Sequence, residues 1–181
     1  MVAVRDAARG DRVVALKETP GDRADELMRE FALLDRLRHP HLAAVYDWFR
    51  VSPVAEAGAA IAPAAYTQEW VDGEDIWVAL RRVDQAGRIE VFEQMLRALA
   101  YLHALGVCHL DLKPGNVLVS GGASPHAWLL DFGIARALGT GGDDADVRGT
   151  LGYIAPERLL GRGFDQRADL YALGMLMLDV W

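Results

Sequence analysis

The sequence predicts an α+β chain, a small β-rich part followed by a mainly helical one. Three observations lead there. Short Val- and Ala-rich runs broken by Gly, Asp and Pro crowd the first seventy residues, as strands and turns do. Apolar residues recur at helical intervals over residues 24–37 and 88–105. The last segment, residues 169–181, is apolar on nearly every side and reads as a buried helix.

The elements follow in order. Val2 and Val4, a turn through Arg9-Gly10-Asp11, and Val13-Val14-Ala15-Leu16 read as a hairpin, with Lys17 at the far end of its second strand. Thr19-Pro20-Gly21-Asp22 is a loop, and Leu27, Phe31, Leu34 and Leu37 then mark one face of an amphipathic helix. His39-Pro40 stops it, because the residue before proline avoids the α region. Two strands are expected over 43–49 and 61–71, separated by an Ala/Gly/Pro-rich loop at 52–60. A short helix over 75–83 precedes the longer one at 88–105, whose apolar face is read as Ile89, Phe92, Leu96, Leu99 and Leu102, with Gly106 as its stop. Short strands at 117–119 and 128–130 flank a Gly-rich turn. A loop then runs from Asp131 to about Glu157, its 139–146 portion rich in Gly and Asp.

The chain has 181 residues, 52% hydrophobic and 25% charged, which is enough for one substantial core. No apolar run is long enough for a membrane span, and charge from Arg5 onward argues against a secretory signal. A net charge of −7 argues against a nucleic-acid binder. The single Cys108 cannot form an internal disulfide, so the expected location is cytoplasmic, or the cytoplasmic side of a longer membrane protein. Cys108 itself reads as a buried small hydrophobe, and Trp48, Trp77 and Trp128 as packing residues. His39 and His41 lack a metal-ligand set. Of the 19 basic residues only Lys17 and Lys113 are lysine, at positions where a compact ammonium and a planar guanidinium are not interchangeable.

The chemistry concentrates in five short segments: Val14-Ala15-Leu16-Lys17; His109-Leu110-Asp111-Leu112-Lys113-Pro114-Gly115-Asn116; Asp131-Phe132-Gly133; Gly149-Thr150; and Ala155-Pro156-Glu157. Singly, each has an ordinary account: Asp111, Asn116 and Asp131 as turn residues, Lys17 as a strand-end charge, Glu30 on a solvent face of its helix. Together, in this order and spacing, they are specific. The chain resembles a eukaryotic-type Ser/Thr protein kinase of the kind also found in bacteria, over its whole length.

The resemblance implies a bilobal protein-kinase-like fold with a small β-rich N-lobe over residues 1–71 and a mainly helical C-lobe over 72–181, both incomplete. It implies ATP and Mg²⁺ as cofactors and the Ser/Thr hydroxyls of protein substrates as acceptors. Lys17 would hold the α- and β-phosphates, oriented by a helix glutamate. Glu30 is the candidate and Glu26 the rival, Glu30 fitting the interval to His39-Pro40 better. Asn116 and Asp131 would bind Mg²⁺, Asp111 would orient or accept the substrate hydroxyl proton, and Lys113 would neutralise the γ-phosphate. Thr150 would bridge Asp111 and Lys113. The Glu69 carbonyl and Val71 amide would read the adenine edge, with Gln68 as gatekeeper and Ala15 and Leu118 sandwiching the ring. Leu34, His109 and Phe132 match positions of the packed spine, and Asp169 would anchor the catalytic loop.

The sequence departs from that family in three ways. No Gly-rich phosphate loop precedes the first hairpin. Leu110 stands where most members carry the arginine that receives an activation-loop phosphate, so Thr140→Ala is expected to leave activity largely unchanged. The helix at 169–181 lacks the later helices that would pack on it, and the arginine that would pair with Glu157. The alternative reading is a catalytically impaired, nucleotide-binding or scaffolding module with the same fold.

Overall fold

A computed structural model describes residues 1–50, 62–121, 124–138 and 149–180. The expected loops at 52–60 and 139–146, with Thr140, Asp143, Asp144 and Asp146, lie outside those residues. The chain divides into two compact units, Met1–Arg38 with Ala43–Val71, and His39–Leu42 with Asp72–Trp181.

The first unit is a four-stranded antiparallel sheet in the order β1-β2-β4-β3, covered by one helix. β1 (Val2–Asp6) and β2 (Arg12–Thr19) form the expected hairpin. Its turn needs a left-handed backbone at Gly10 and Asp11, with φ of 72° and 64°, which glycine and aspartate tolerate best. β4 (Ala64–Glu69) pairs with β2 and with β3 (Val45–Arg50), and its residues Ala64 to Gln68 are all buried. Opposite residues of antiparallel neighbours share a face, so Lys17, Tyr66 and Trp48 line one side of the sheet, as do Ala15 and Gln68. α1 (Ala24–Leu34) lies on that side: Phe31 meets Trp48 at 5.8 Å and Tyr66 at 5.7 Å, ring centre to ring centre. Leu27, Glu30 and Leu34 complete its buried stripe. The helix stops three residues short of the expected Leu37, because Arg36 and Leu37 donate back only three residues, to Leu33 and Leu34. Arg38 Nη1 then covers the Asp35 and Leu37 carbonyls at 2.7 and 2.8 Å.

The second unit is built on α3 (Gln85–Ala104), preceded by β5 (Glu74–Asp75) and α2 (Ile76–Ala79). The Asp84 side chain caps α3 by accepting Gly87 N at 2.8 Å, and Gly106 ends the helix with φ 72°. The buried face differs from the expected one. Ile89 and Leu96 are both 45% exposed, while Val91, Met95 and Ala98 join Phe92, Leu99 and Leu102 inside. The helix carries apolar residues on more than one face, so periodicity could not choose between them.

β7 (Val117–Ser120) and β8 (His126–Leu129) form a hairpin, with β5 on the outer edge of β7. Buried Gln94 ties this hairpin to α3, accepting Ala127 N at 2.7 Å and donating to the Pro125 carbonyl at 2.8 Å. The segment His39–Leu42 adds to the other side: Leu42 forms a parallel bridge with Leu129, and Leu129 N donates to the His41 carbonyl at 2.9 Å. His41 Nδ1 bonds the Ala127 carbonyl, His126 Nε2 bonds the Pro40 carbonyl, and the His39 ring stacks on Tyr101.

β6 (Val107–Cys108) and β9 (Arg136–Ala137) pair across the segment expected to be loop. α4 (Pro156–Leu159) and α5 (Arg167–Val180) complete the unit. Ala168, Asp169, Ala172, Leu173 and Leu176 of α5 are buried, whereas Leu170, Tyr171, Met177 and Leu178 are exposed, so the expectation of an all-round buried helix does not hold among the described residues. Trp77, expected to pack, is 45% exposed, while Trp48 and Trp128 are half-buried. Cys108 is fully buried, as expected of a small hydrophobe. No helix among the described residues is long and apolar enough to cross a membrane.

Candidate active site

In the first unit, Lys17 and Glu30 form an ion pair. Lys17 Nζ donates to Glu30 Oε1 at 2.6 Å and Oε2 at 2.9 Å, with the glutamate side chain 4% exposed. Tyr66 Oη donates to the same Oε1 at 3.0 Å. β2 brings Lys17 opposite Tyr66, and α1 lays Glu30 over both. Glu26, the rival, is turned toward Arg23 on the exposed side, at 3.3 Å. Tyr66 was not singled out in the sequence, although strand alternation places it beside Lys17 and a buried tyrosine hydroxyl needs a partner.

The same sheet positions the residues expected to meet adenine. Ala15 is buried opposite Gln68, itself buried, with Gln68 Nε2 against Met1 Sδ at 3.5 Å. Glu69 closes β4, its N–H donating to the Ala44 carbonyl at 2.7 Å, and Val71 lies beyond the strand pairing. Leu34 is buried at the end of α1. Leu118, in the second unit, is half-buried on β7 opposite Trp128.

The second unit gathers the remaining residues around the turn 109–116. One oxygen of Asp111, Oδ2, accepts Lys113 Nζ at 2.7 Å and Asn116 Nδ2 at 3.0 Å. Asn116 Nδ2 also donates to the Asp111 carbonyl at 2.8 Å, which leaves the amide oxygen as the outward acceptor. Thr150 is the residue expected to bridge Asp111 and Lys113. The ammonium reaches the carboxylate directly, while Thr150 is exposed and its carbonyl accepts Tyr153 N at 3.0 Å.

Asp131 is brought to this turn through its neighbour. Leu130 N donates to the Asn116 carbonyl at 2.8 Å, and the Leu130 carbonyl accepts from His109 Nε2 at 3.1 Å. With both polar groups of residue 130 held, Asp131 follows in a left-handed conformation, φ 61°, with Oδ1 accepting Gly133 N at 3.2 Å. Phe132 is buried edge-on against the His109 ring at 4.8 Å.

His109 is fully buried and has both ring nitrogens committed, Nε2–H donating to Leu130 and Nδ1 accepting Asp111 N at 3.3 Å. That pattern requires the neutral imidazole, and burial accordingly pushes its pKa below the ordinary 6.5. Asp169, also fully buried, accepts His109 N at 2.9 Å and Leu110 N at 2.8 Å on separate oxygens, with His103 Nε2 at 2.8 Å. Burial opposes its ionisation, but the bonds from His103 and the two amides prevail and hold its carboxyl below the usual range. His103 was missed in the sequence. Its position in the last turn of α3, facing the segment that follows, carries no motif of its own.

Asn116 and Asp131 each offer a side-chain oxygen, the donor type hard divalent cations take. An ammonium held by a buried carboxylate is present at Lys17, the group type that meets phosphate oxygens. Both fit Mg²⁺ and ATP. A cavity of about 300 Å³ lined by Asp72, Glu74, Ala79, Arg82, Val83 and Val119 contains none of these residues.

The family model described as the protein kinase domain matches residues 3–181. The chain is 40% identical over 158 residues to the serine/threonine-protein kinase PknJ of Mycobacterium tuberculosis, covering 83% of this chain and 27% of that protein. It is 36% identical over 152 residues to PknB of the same species, covering 80% and 23%. With the human serine/threonine-protein kinase ULK3 it shares 30% identity over 171 residues, covering 93% and 34%. The chain therefore spans about a quarter to a third of the length of these curated relatives.

Proposed function

The chain belongs to the protein kinase domain family, and from that premise we propose that it transfers the γ-phosphoryl group of ATP to serine and threonine hydroxyls of protein substrates. The observation that carries this reading is the Asp111 carboxylate. Lys113 and Asn116 both occupy Oδ2, so Oδ1 is the oxygen left without a hydrogen-bond partner among the described residues. An acceptor hydroxyl bonding to Oδ1 is oriented for attack, and Asp111 takes up its proton as the new oxygen–phosphorus bond forms and the bond from the γ-phosphorus to the departing ADP breaks. Lys113, already beside Asp111, balances the charge of the moving phosphoryl group.

Lys17 holds the α- and β-phosphates, and Glu30 keeps its ammonium aimed. Asn116 and Asp131 would hold Mg²⁺, which when bound would neutralise phosphate charge and polarise the transferring group. Ala15, Leu118, the Glu69 carbonyl and the Val71 amide take the adenine. The names of the relatives, each a serine/threonine-protein kinase, support the acceptor class. Radiolabel transfer from ATP to a Ser/Thr-rich acceptor protein tests the proposal, followed by phosphoamino-acid analysis. The expected result is phosphoserine and phosphothreonine, with Asp111→Asn slower by at least about a hundredfold. Equal rates for the two proteins would overturn it.

A further inference from the structure

The turn that presents Asp111 is held from both sides by side chains distant in sequence. Leu110 has φ 65°, a conformation that crowds an ordinary side chain against the next carbonyl. Its side chain is buried with Cys108, Ala155 and Ala168, so it offers no charge to the site. Its N–H donates to Asp169 Oδ1 at 2.8 Å. Its carbonyl accepts Arg158 Nη1 at 2.9 Å, from α4, one residue after Glu157. A Cβ added at Gly149 would stand 3.6 Å from the same carbonyl and 3.1 Å from Ile154 Cγ1.

The carbonyl that Arg158 holds belongs to the Leu110–Asp111 peptide. The N–H of that same peptide is Asp111 N, donating to His109 Nδ1 at 3.3 Å. A peptide is planar, so fixing its oxygen fixes its nitrogen and the Cα from which the Asp111 side chain departs. We propose that Arg158 is a positioning residue for phosphoryl transfer: its guanidinium pins the Leu110 carbonyl and thereby aims the Asp111 carboxylate, at a turn where residue 110 supplies no arginine of its own. Asp169 holds the amino side of this turn and Arg158 the carbonyl side. The guanidinium suits the task because its planar fork can keep one N–H on the carbonyl while the others find second partners. The inference rests on the role given to Asp111 above.

The test uses the full chain with Arg158→Ala, Arg158→Lys and Asp111→Asn, and two readouts: steady-state kinetics, and hydrogen exchange of the Asp111 amide. Arg158→Ala is expected to lower kcat at least tenfold with the KM for ATP within twofold of the starting value. It is expected to speed exchange of the Asp111 amide at least tenfold, and Arg158→Lys to recover a substantial part of both losses. Where the alanine variant does not fold, Arg158→Met, which keeps the apolar stem and drops the donors, is read by the same limits. A kcat within twofold, unchanged exchange at Asp111, or a loss that lysine does not relieve overturns the proposal. If the unaltered chain transfers no more phosphate than Asp111→Asn, the kinase reading fails, while the exchange measurement still decides whether Arg158 holds the turn.

Discussion

Glu30 Oε1 accepts both the Lys17 ammonium, at 2.6 Å, and the Tyr66 hydroxyl, at 3.0 Å, so one buried oxygen sets the position of the lysine from two directions. Glu30→Gln keeps the shape and removes the charge. Phosphate transfer should fall at least tenfold, about 1.4 kcal/mol in barrier, with a raised KM for ATP. Tyr66→Phe leaves the ion pair and removes one charge-assisted bond, costing about 1.5 kcal/mol or more of stability with a smaller effect on rate. Kinetics and urea unfolding of both variants check this. The reverse ranking would show that Tyr66, not the ion pair, governs Lys17.

Asp169→Ala should destabilise the protein by about 3 kcal/mol or more, because the His109 and Leu110 amides lose their acceptor in a buried site. Asp169→Asn keeps one acceptor oxygen and should lose less. Urea midpoints for the two variants measure the difference. Equal midpoints would mean that the charge and not the acceptor geometry matters.

Stability should decline as pH falls from 7.5 to 5.5. Burial lowers the pKa values of His39, His41 and His109 below 6.5. The unfolded chain therefore binds protons near 6.5 that the folded chain takes up only at lower pH, and stability drops across that interval. Asp169 adds a later loss. Its contribution is complete above the unfolded carboxylate value, about 3.9, and disappears as pH falls through its lower folded value. Urea midpoints at a series of pH values, with NMR titration of the histidine rings, read both effects. A flat profile between pH 7.5 and 5.5 would contradict the histidine part.

Cys108 should resist alkylation in the native protein. Burial, reinforced by the negative charge of Asp169, pushes its thiol up to about 12, so thiolate is scarce at pH 8 and access is closed. Iodoacetamide should label it at least about a hundredfold faster in denaturant. Fast labelling without denaturant would show that β6 opens readily.

The sequence made the short-range features legible and left the longer-range ones hidden. The first hairpin was readable because Gly10 announces a left-handed turn, and α1 because Leu27, Phe31 and Leu34 repeat on one face. The residues around Asp111, Asn116 and Asp131 were readable as a set because their order and spacing are specific, whereas each alone has the look of a turn residue. The face of α3 was misread, since Ile89 and Leu96 fit the helical period as well as Val91 and Met95, and only the β7–β8 hairpin decides which side is covered. The two-residue strands β5, β6 and β9 carry too few residues for any alternation to register. Tyr66, His103 and Arg158 act through atoms that meet only after folding, at separations of 36, 66 and 48 residues.

The segment His39–Leu42 belongs to the second unit although α1 and β3, on either side of it, belong to the first. The backbone thus passes from one unit to the other at three places, 38/39, 42/43 and 71/72. A protease that cut only the last of these would not release two free halves. The amino-terminal piece would still carry the strand-like peptide that bridges Leu129 and covers Ala127. The nicked protein would persist as a self-complementing pair of fragments, with the interlacing of the chain acting as a rivet where a simple linker would have parted.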